Sequence, residues 1–169
     1  QPAPDPPPLP PTTSIPSVRF NEVFANPKGD EAQGEFIELY NAGDTAVALD
    51  GFHVRDASKT GNYTFPSGTI IPALGYLVLP RSVSKISLNN SNETLSLTDI
   101  NEAVVDSMNY IKTKEGISLN YTQGGWRGGT PTPGTVNQIN ALPETKERVP
   151  KKGYRGVPVT MNARGEDTD

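Results

Sequence analysis

Two glutamates inside an apolar run are the first residues whose types and spacing suggest chemistry. The segment GEFIELYN (34–41) places Glu35 and Glu38 three positions apart. Acid–base catalysis by paired carboxylates requires both groups to converge on one substrate bond. Successive side chains of a strand point to opposite faces, so this odd spacing separates them. We therefore predict structural roles for both, with Glu35 on the face of Ile37 and Leu39, accepting hydrogen bonds at a strand end.

The remaining candidates for metal or nucleophilic chemistry are sparse. His53 is the only histidine and the chain has no cysteine, so a zinc site lacks ligands, and a hydrogen-bonded strand histidine is favoured. Loop carboxylates suit Ca²⁺, but no Asp-x-Asp-x-Asp spacing occurs, and solvated loop acids are favoured. The sequence predicts no enzymatic activity and no cofactor. The weak calcium candidates are Asp30, Glu31 and Asp44.

Composition excludes several classes of partner. The net charge is −4 and the pI is about 5.0, which argues against a general nucleic-acid or anionic-membrane binder. No apolar run approaches the roughly 18 residues of a membrane span. A first residue of Gln1 fits a mature chain whose export signal has been removed, or a fragment of a longer chain. We expect an extracellular or cell-envelope protein.

The chain divides into three parts by composition. Residues 1–16, QPAPDPPPLPPTTSIP, contain eight prolines and predict an extended spacer, a docking strip or a disordered linker. Residues 17–140 contain short apolar runs separated by Gly, Asn, Asp and Pro. Residues 141–169 have little apolar periodicity and many charges. We predict one folded domain, 17–140, between two extended arms.

The central part has the pattern of an all-β domain. VRFNEVF (18–24) alternates apolar and polar residues, as a half-buried strand does, and KISL (85–88) is among the further predicted strands. Windows long enough for a helix contain β-branched residues, Gly or Pro at unfavourable positions. Eight or nine short strands with turn signals about every ten residues indicate a β-sandwich or barrel.

Several of these segments together resemble one family, the lamin tail domain, an immunoglobulin-like module of nuclear lamins and of bacterial secreted proteins. Order and spacing agree along residues 17–140. The resemblance implies an immunoglobulin-like β-sandwich with a binding or assembly role and no catalytic residues to carry over. The matching pieces are VRFNEVFANP (18–27), GEFIELYNAGDTAVALDGFHVRD (34–56), FPSGTIIPALGYLVL (65–79), ETLSLTDINEAVVDSMNY (93–110) and TPGTVN (132–137).

The functional hypothesis is a non-enzymatic, protein-binding component of a bacterial exported or cell-surface assembly. Its subunits would meet through sheet edges and terminal arms. The alternative is an accessory binding or targeting module of a larger exported enzyme, such as a nuclease. A lamin-type chromatin binder is disfavoured by the acidic charge and by the absence of coiled-coil heptads. We expect a protein partner or self-assembly, with no nucleic acid and no small-molecule ligand.

Two further predictions concern Trp126 and the C-terminal arm. Trp126, placed among glycines just before the final turn, is expected to be a core or rim residue that closes the sandwich. In the C-terminal arm, the alternation in VPVTM (157–161) fits an edge strand added to another subunit. The predicted partner-binding residues are Tyr154, Val157, Val159 and Met161.

Overall fold

The structure is a computed structural model that describes residues 17–58 and 60–140. These residues form an antiparallel β-sandwich, which confirms the predicted all-β, immunoglobulin-like fold class. The elements are β1 (Val18–Phe24), α1 (Glu31–Gly34), β2 (Phe36–Asn41), β3 (Val47–Ala48), β4 (His53–Arg55), β5 (Asn62–Thr64), β6 (Ile70–Ile71), β7 (Tyr76–Pro80), α2 (Arg81–Ser84), β8 (Ser91–Thr98), β9 (Val104–Lys112), β10 (Ser118–Thr122), β11 (Gly125–Thr130) and β12 (Gln138–Ile139).

Two sheets carry most of the strands. The larger sheet has the order β12-β11-β10-β1-β2-β7, and the smaller has the order β5-β4-β8-β9. A third sheet is the short pair β3-β6. The backbone amide of Phe20 in β1 donates to the Asp106 carboxylate of β9 at 2.7 Å, so a hydrogen bond joins the two main sheets.

The core lies between these sheets and draws on both. Alternate residues of β1 and β2 supply one side, and alternate residues of β8 supply the other, as the period of two requires. The fully buried members include Phe20, Ile37, Leu39, Leu95 and Leu97. Burying each large apolar side chain contributes about 1.5–3 kcal/mol, so this layer is the main source of stability.

The middle of the larger sheet is buried on both faces. In β2, Phe36, Ile37, Glu38 and Leu39 are all buried, which a sheet with one solvated face does not allow. A β-bulge in β1 between Phe20 and Glu22 adds an extra residue there. This covered outer face is where the buried carboxylates lie.

The number of strands differs from the prediction. The described residues form twelve strands rather than eight or nine, because three pairs of residues in turn-rich segments form short bridges. KISL (85–88), by contrast, is not a strand, although Ile86 and Leu88 are buried. The amide of Leu88 donates to the carboxylate of Glu35 instead of to a neighbouring strand.

Candidate functional site

Glu38 and Glu22 lie directly opposite each other on β2 and β1, and both side chains are fully buried. Glu38 accepts hydrogen bonds from Asn21 Nδ2 at 2.7 Å and from the amide of Gly134 at 2.5 Å. Burial raises the pKa of Glu38 above its ordinary value, and the charge of Glu22 raises it further. The hydrogen bonds from Gly134 and Asn21 act in the opposite direction.

Glu22 holds the segment that follows β11. Its carboxylate accepts from Ser118 Oγ at 2.5 Å, from the amide of Thr132 at 3.1 Å and from Thr132 Oγ1 at 3.2 Å. Asn137 continues the attachment, since its Nδ2 donates to the carbonyl oxygens of Asn21 and Tyr121, each at 3.2 Å. We call this set the carboxylate frame: Asn21, Glu22, Glu38, Ser118, Thr132, Gly134 and Asn137.

The two carboxylates of the frame are fully buried and accept hydrogen bonds from backbone and side-chain donors of the protein itself. Every acceptor contact named above for Glu22 and Glu38 is to a donor of the same chain. Glu22 was not singled out by the sequence analysis. The signal that could have found it is a glutamate within the apolar strand VRFNEVF, which parallels Glu38 in EFIELYN.

Glu35 is buried at a different place, immediately before β2. Its carboxylate accepts from Arg81 Nη1 at 3.1 Å and from the amide of Leu88 at 3.0 Å. Burial raises the pKa of Glu35, while the Leu88 hydrogen bond and the Arg81 charge lower it. Glu35 and Glu38 share no hydrogen-bond partner, so the structure does not bring them together on one site.

His53 has neighbours that superficially resemble a nucleophile–base–acid arrangement. Its Nδ1 lies 2.9 Å from Thr64 Oγ1, and its Nε2 lies 3.8 Å from a Glu102 oxygen. However, Glu102 is engaged by the Arg55 guanidinium, and 3.8 Å is too long for a hydrogen bond. The Thr64 side chain is exposed on a sheet edge rather than held in a cleft. This cluster is a surface ion-pair network.

The calcium candidates do not gather. Asp30 caps α1, where its Oδ1 accepts from the amide of Ala32 at 2.9 Å. Glu31 accepts from Asn90 Nδ2 at 2.8 Å, and Asp44 is exposed in the turn before β3. In the two described ranges, no three His, Cys, Asp or Glu side chains are grouped so that they could hold a metal ion.

Strand β9 is the long edge of the smaller sheet. Its nine residues pair with β8 on one side, and no described strand pairs with the other side. Met108 and Tyr110 are buried, whereas Val104 and Ile111 are 66% and 77% exposed. The opposite edge strand, β5, has only three residues. An unpaired strand edge is a template for an added strand, and here β1 approaches β9 at Asp106, whose carboxylate accepts from the Phe20 amide.

Trp126 lies on β11 and is partly buried against the core. Its indole meets the ring of Tyr121 edge-to-face, with the ring centroids 5.9 Å apart. These contacts place Trp126 at the rim of the sandwich and leave part of its surface accessible.

The family can now be assigned. The model of the lamin tail domain family matches residues 11–112. The chain belongs to the lamin tail domain family. The members are immunoglobulin-like domains that generally mediate protein interactions, with structural and binding rather than catalytic roles. No curated protein matches the chain.

The match to the lamin tail domain ends at Lys112, the last residue of β9. Strands β10 to β12 lie beyond it, yet β10 pairs with β1 in the centre of the larger sheet. The carboxylate frame therefore attaches the matched part to the part that follows, because Ser118 and Thr132 both donate to Glu22.

Three further sequence predictions for this lamin tail domain concern its C-terminal arm, its boundaries and a membrane span. Tyr154, Val157, Val159 and Met161 lie outside the described residues. The domain boundaries at 17 and 140 stay predictions. As for a membrane span, no helix in the described parts of the chain has the length and apolarity to cross a bilayer.

Proposed function

We propose that this lamin tail domain is a non-enzymatic structural component of a bacterial exported or cell-surface assembly, whose subunits meet through sheet edges and terminal arms. The role of the family in protein interaction supports a binding function in general. The single observation that carries the finer proposal is the open edge of β9.

The edge suits strand addition for two reasons. A row of unpaired backbone N–H and C=O groups gives affinity to an extended segment, and alternate side chains give specificity. Val104 and Ile111 supply apolar contacts at the two ends of β9. A recess of about 680 Å³, lined in part by Ile117 and Leu119, adjoins Lys112 at the end of this strand. A partner strand could extend into this recess.

The proposed occupant is the C-terminal arm of another subunit, residues 155–163. Three apolar side chains alternate there, and Pro158 restricts full pairing to one side of the segment, as suits an added edge strand. Ordering about nine residues costs on the order of 10 kcal/mol. Backbone hydrogen bonds contribute only about 0.5–1.5 kcal/mol each, so docking should be stable only when repeated in an assembly.

The test is the molar mass of the full chain as a function of concentration, measured by light scattering. In the edge variant, Val104→Lys and Ile111→Lys place charges on exposed positions of β9, where they oppose pairing without opening the core. The matched control, Ile70→Lys with Val136→Lys, changes two other exposed apolar residues away from β9. We expect the edge variant to dissociate at concentrations where the wild type and the control associate.

A third variant asks whether the arm uses the same edge. Replacing Val157, Val159 and Met161 together by serine should weaken association as the edge variant does, and combining both sets should add little. Association that survives the edge variant would contradict the role of β9. Additive losses would show that the arm docks elsewhere.

A further inference from the structure

Five side chains form a continuous row of contacts across five neighbouring strands of the larger sheet. In spatial order the strands are β11, β10, β1, β2 and β7. We call this row the aromatic ladder, and its members are Trp126, Tyr121, Arg19, Tyr40 and Tyr76.

Each step of the aromatic ladder is a close contact. The Arg19 guanidinium carbon lies 4.5 Å from the ring centroid of Tyr121 and 4.8 Å from that of Tyr40. The Tyr40 and Tyr76 centroids are 4.9 Å apart, and the Tyr121 and Trp126 centroids are 5.9 Å apart. None of the five side chains is fully buried. The protein therefore presents a cation between aromatic rings at a partly open surface.

Arg19 is unusual among the arginines of the core region. Its Nε is buried and has no hydrogen-bond partner among residues 17–58 and 60–140, and no carboxylate there pairs with it. A buried donor without an acceptor destabilises the folded state, because it has lost its hydrogen bonds to water. The stacking on two rings compensates for part of this cost, since a cation over aromatic faces is attracted to them. The Arg19 side chain as a whole is only partly buried, and no described carboxylate neutralises its charge.

Surfaces of this composition suit a polyproline II segment. Proline-rich chains dock on grooves lined by aromatic rings, and they are already extended, so little conformational entropy is lost. Their backbone carbonyls make no internal hydrogen bonds and can accept from donors such as Arg19, the tyrosine hydroxyls and the Trp126 indole.

We propose that the aromatic ladder is the docking site for the proline-rich segment of the same chain, residues 1–16. This segment is distinct from the C-terminal arm proposed for the β9 edge, and neither proposal requires the other. The chain outside the described residues supplies the reasons, namely its length, its point of attachment and its charge.

The dimensions agree. The aromatic ladder spans four inter-strand spacings of about 4.8 Å, or about 19 Å in total. The run PPPLPP (6–11) covers about 19 Å as polyproline II, at about 3.1 Å per residue. The chain enters β1 at Val18, one residue from Arg19 in the middle of the ladder. Residues 12–16 can extend about 16 Å, enough to carry the run to either end of the ladder.

Charge and attachment favour the chain's own segment over a foreign one. Asp5, directly before the proline run, is the only charged side chain in residues 1–16, and it is opposite in sign to Arg19. A covalently attached segment has an effective concentration on the order of millimolar. A second copy at micromolar concentration would compete poorly with it.

The experiment uses the full chain with one nitroxide label. The protein has no cysteine, so Ala3→Cys introduces a single attachment site at the end of the proline run that is farther from Val18, where broadening of the ladder signals requires the run to dock. In a ¹⁵N-labelled sample, the Arg19 Nε–H and Trp126 Nε1–H signals should lose most of their intensity to paramagnetic broadening. The amides of β5, in the other sheet, should keep theirs.

Two comparisons make the result decisive. Tyr76→Leu removes one end of the aromatic ladder and should restore the broadened signals. Tyr63→Leu should not restore them, because Tyr63 lies on an edge strand of the other sheet, where it meets an aromatic ring edge-to-face. A further sample mixes equal amounts of two chains, one with the nitroxide but no ¹⁵N and the other with ¹⁵N but no nitroxide. In this mixture the ladder signals should remain sharp, because the segment docks on its own chain. Ladder signals that stay sharp in the labelled chain, broaden equally with those of β5, or broaden in the mixture would overturn the proposal.

Discussion

The carboxylate frame and the β9 edge differ in how their backbone N–H and C=O groups are paired. In the frame, the amides of Thr132 and Gly134 are satisfied by buried carboxylates of the same chain. Along β9, nine residues are paired on one side only within the described residues. In the carboxylate frame, acidic side chains satisfy backbone donors within the domain. Along β9, the backbone groups of one side have no partner strand among the described residues.

This difference separates structural from functional residues. Buried carboxylates in an apolar sheet suggest catalysis at first sight, but here their acceptor capacity is used by the protein's own donors. The edge strand has no chemically distinctive residue, yet it carries the groups that remain available to a partner. For the β9 edge, the binding capacity that we propose lies in unpaired backbone groups rather than in chemically distinctive side chains.

The largest expected effect on stability comes from a change in the carboxylate frame. Glu22→Ala removes the acceptor of both Ser118 Oγ and the Thr132 amide, and leaving two buried donors unpaired should lower the free energy of unfolding by about 3 kcal/mol or more. Chemical denaturation of the full chain measures this. The control, Glu102→Ala, breaks an exposed ion pair and should have a much smaller effect. Equal losses for the two variants would contradict the role given to the carboxylate frame.

Trp126→Ala should have an intermediate effect. A fully buried tryptophan contributes about 3–5 kcal/mol, but Trp126 is only partly buried, so we expect about 2 kcal/mol. Thermal unfolding followed by circular dichroism measures the change. An unaltered melting temperature would mean that the indole does not close the sandwich rim.

The pH dependence of stability distinguishes the buried from the exposed carboxylates. Because the pKa of Glu38 in the folded protein is above its ordinary value of 4.5, the folded state binds this proton more tightly than the unfolded state does. Its contribution to stability is therefore complete below pH 4.5 and is lost as the pH rises through the folded pKa. Glu38→Gln should remove this decline, as measured by denaturation at a series of pH values.

Glu102 provides a control of opposite sign. The hydrogen bond from Arg55 lowers the pKa of Glu102, so its contribution is present above pH 4.5 and is lost as the pH falls. Glu102→Gln should change the profile only on the acidic side. If Glu38→Gln steepens the decline towards neutral pH, the direction assigned to the Glu38 pKa is wrong.

The smallest expected effect on stability comes from changes at the β9 edge. Val104→Lys with Ile111→Lys alters two exposed side chains and should change the free energy of unfolding of dilute protein by no more than about 0.5 kcal/mol per site. The comparison with Glu22→Ala then separates the two regions, since we expect the carboxylate frame to affect stability and the β9 edge to affect association. A large loss of stability would show that these exposed side chains of β9 contribute to the stability of the domain, and it would contradict the contrast with the carboxylate frame.

Local sequence patterns predicted much of the fold but not the arrangement of its strands. Alternation of apolar and polar residues in VRFNEVF and EFIELYN predicted strands at nearly the observed bounds, because the order of side-chain types along a strand is a local property. KISL failed as a strand because the distant Glu35 carboxylate takes the amide of Leu88. Contacts between residues 53 positions apart are not encoded in a local pattern.

The two proposed interaction surfaces depend on such distant contacts. That β9 is an edge follows from strand order, which no single segment determines. The aromatic ladder brings Arg19 beside Tyr121 and, through it, Trp126, which are separated by most of the domain in sequence. Glu22 went unnoticed for a related reason, since its partners Ser118 and Thr132 come from the end of the domain.

Amide hydrogen exchange of the full chain, at one concentration where it is monomeric and one where it is associated, tests the central claim most directly. The account predicts that the amides of β9 gain protection on association while those of β5, the other edge of the same sheet, do not. Association that leaves the exchange of β9 unchanged would contradict the account.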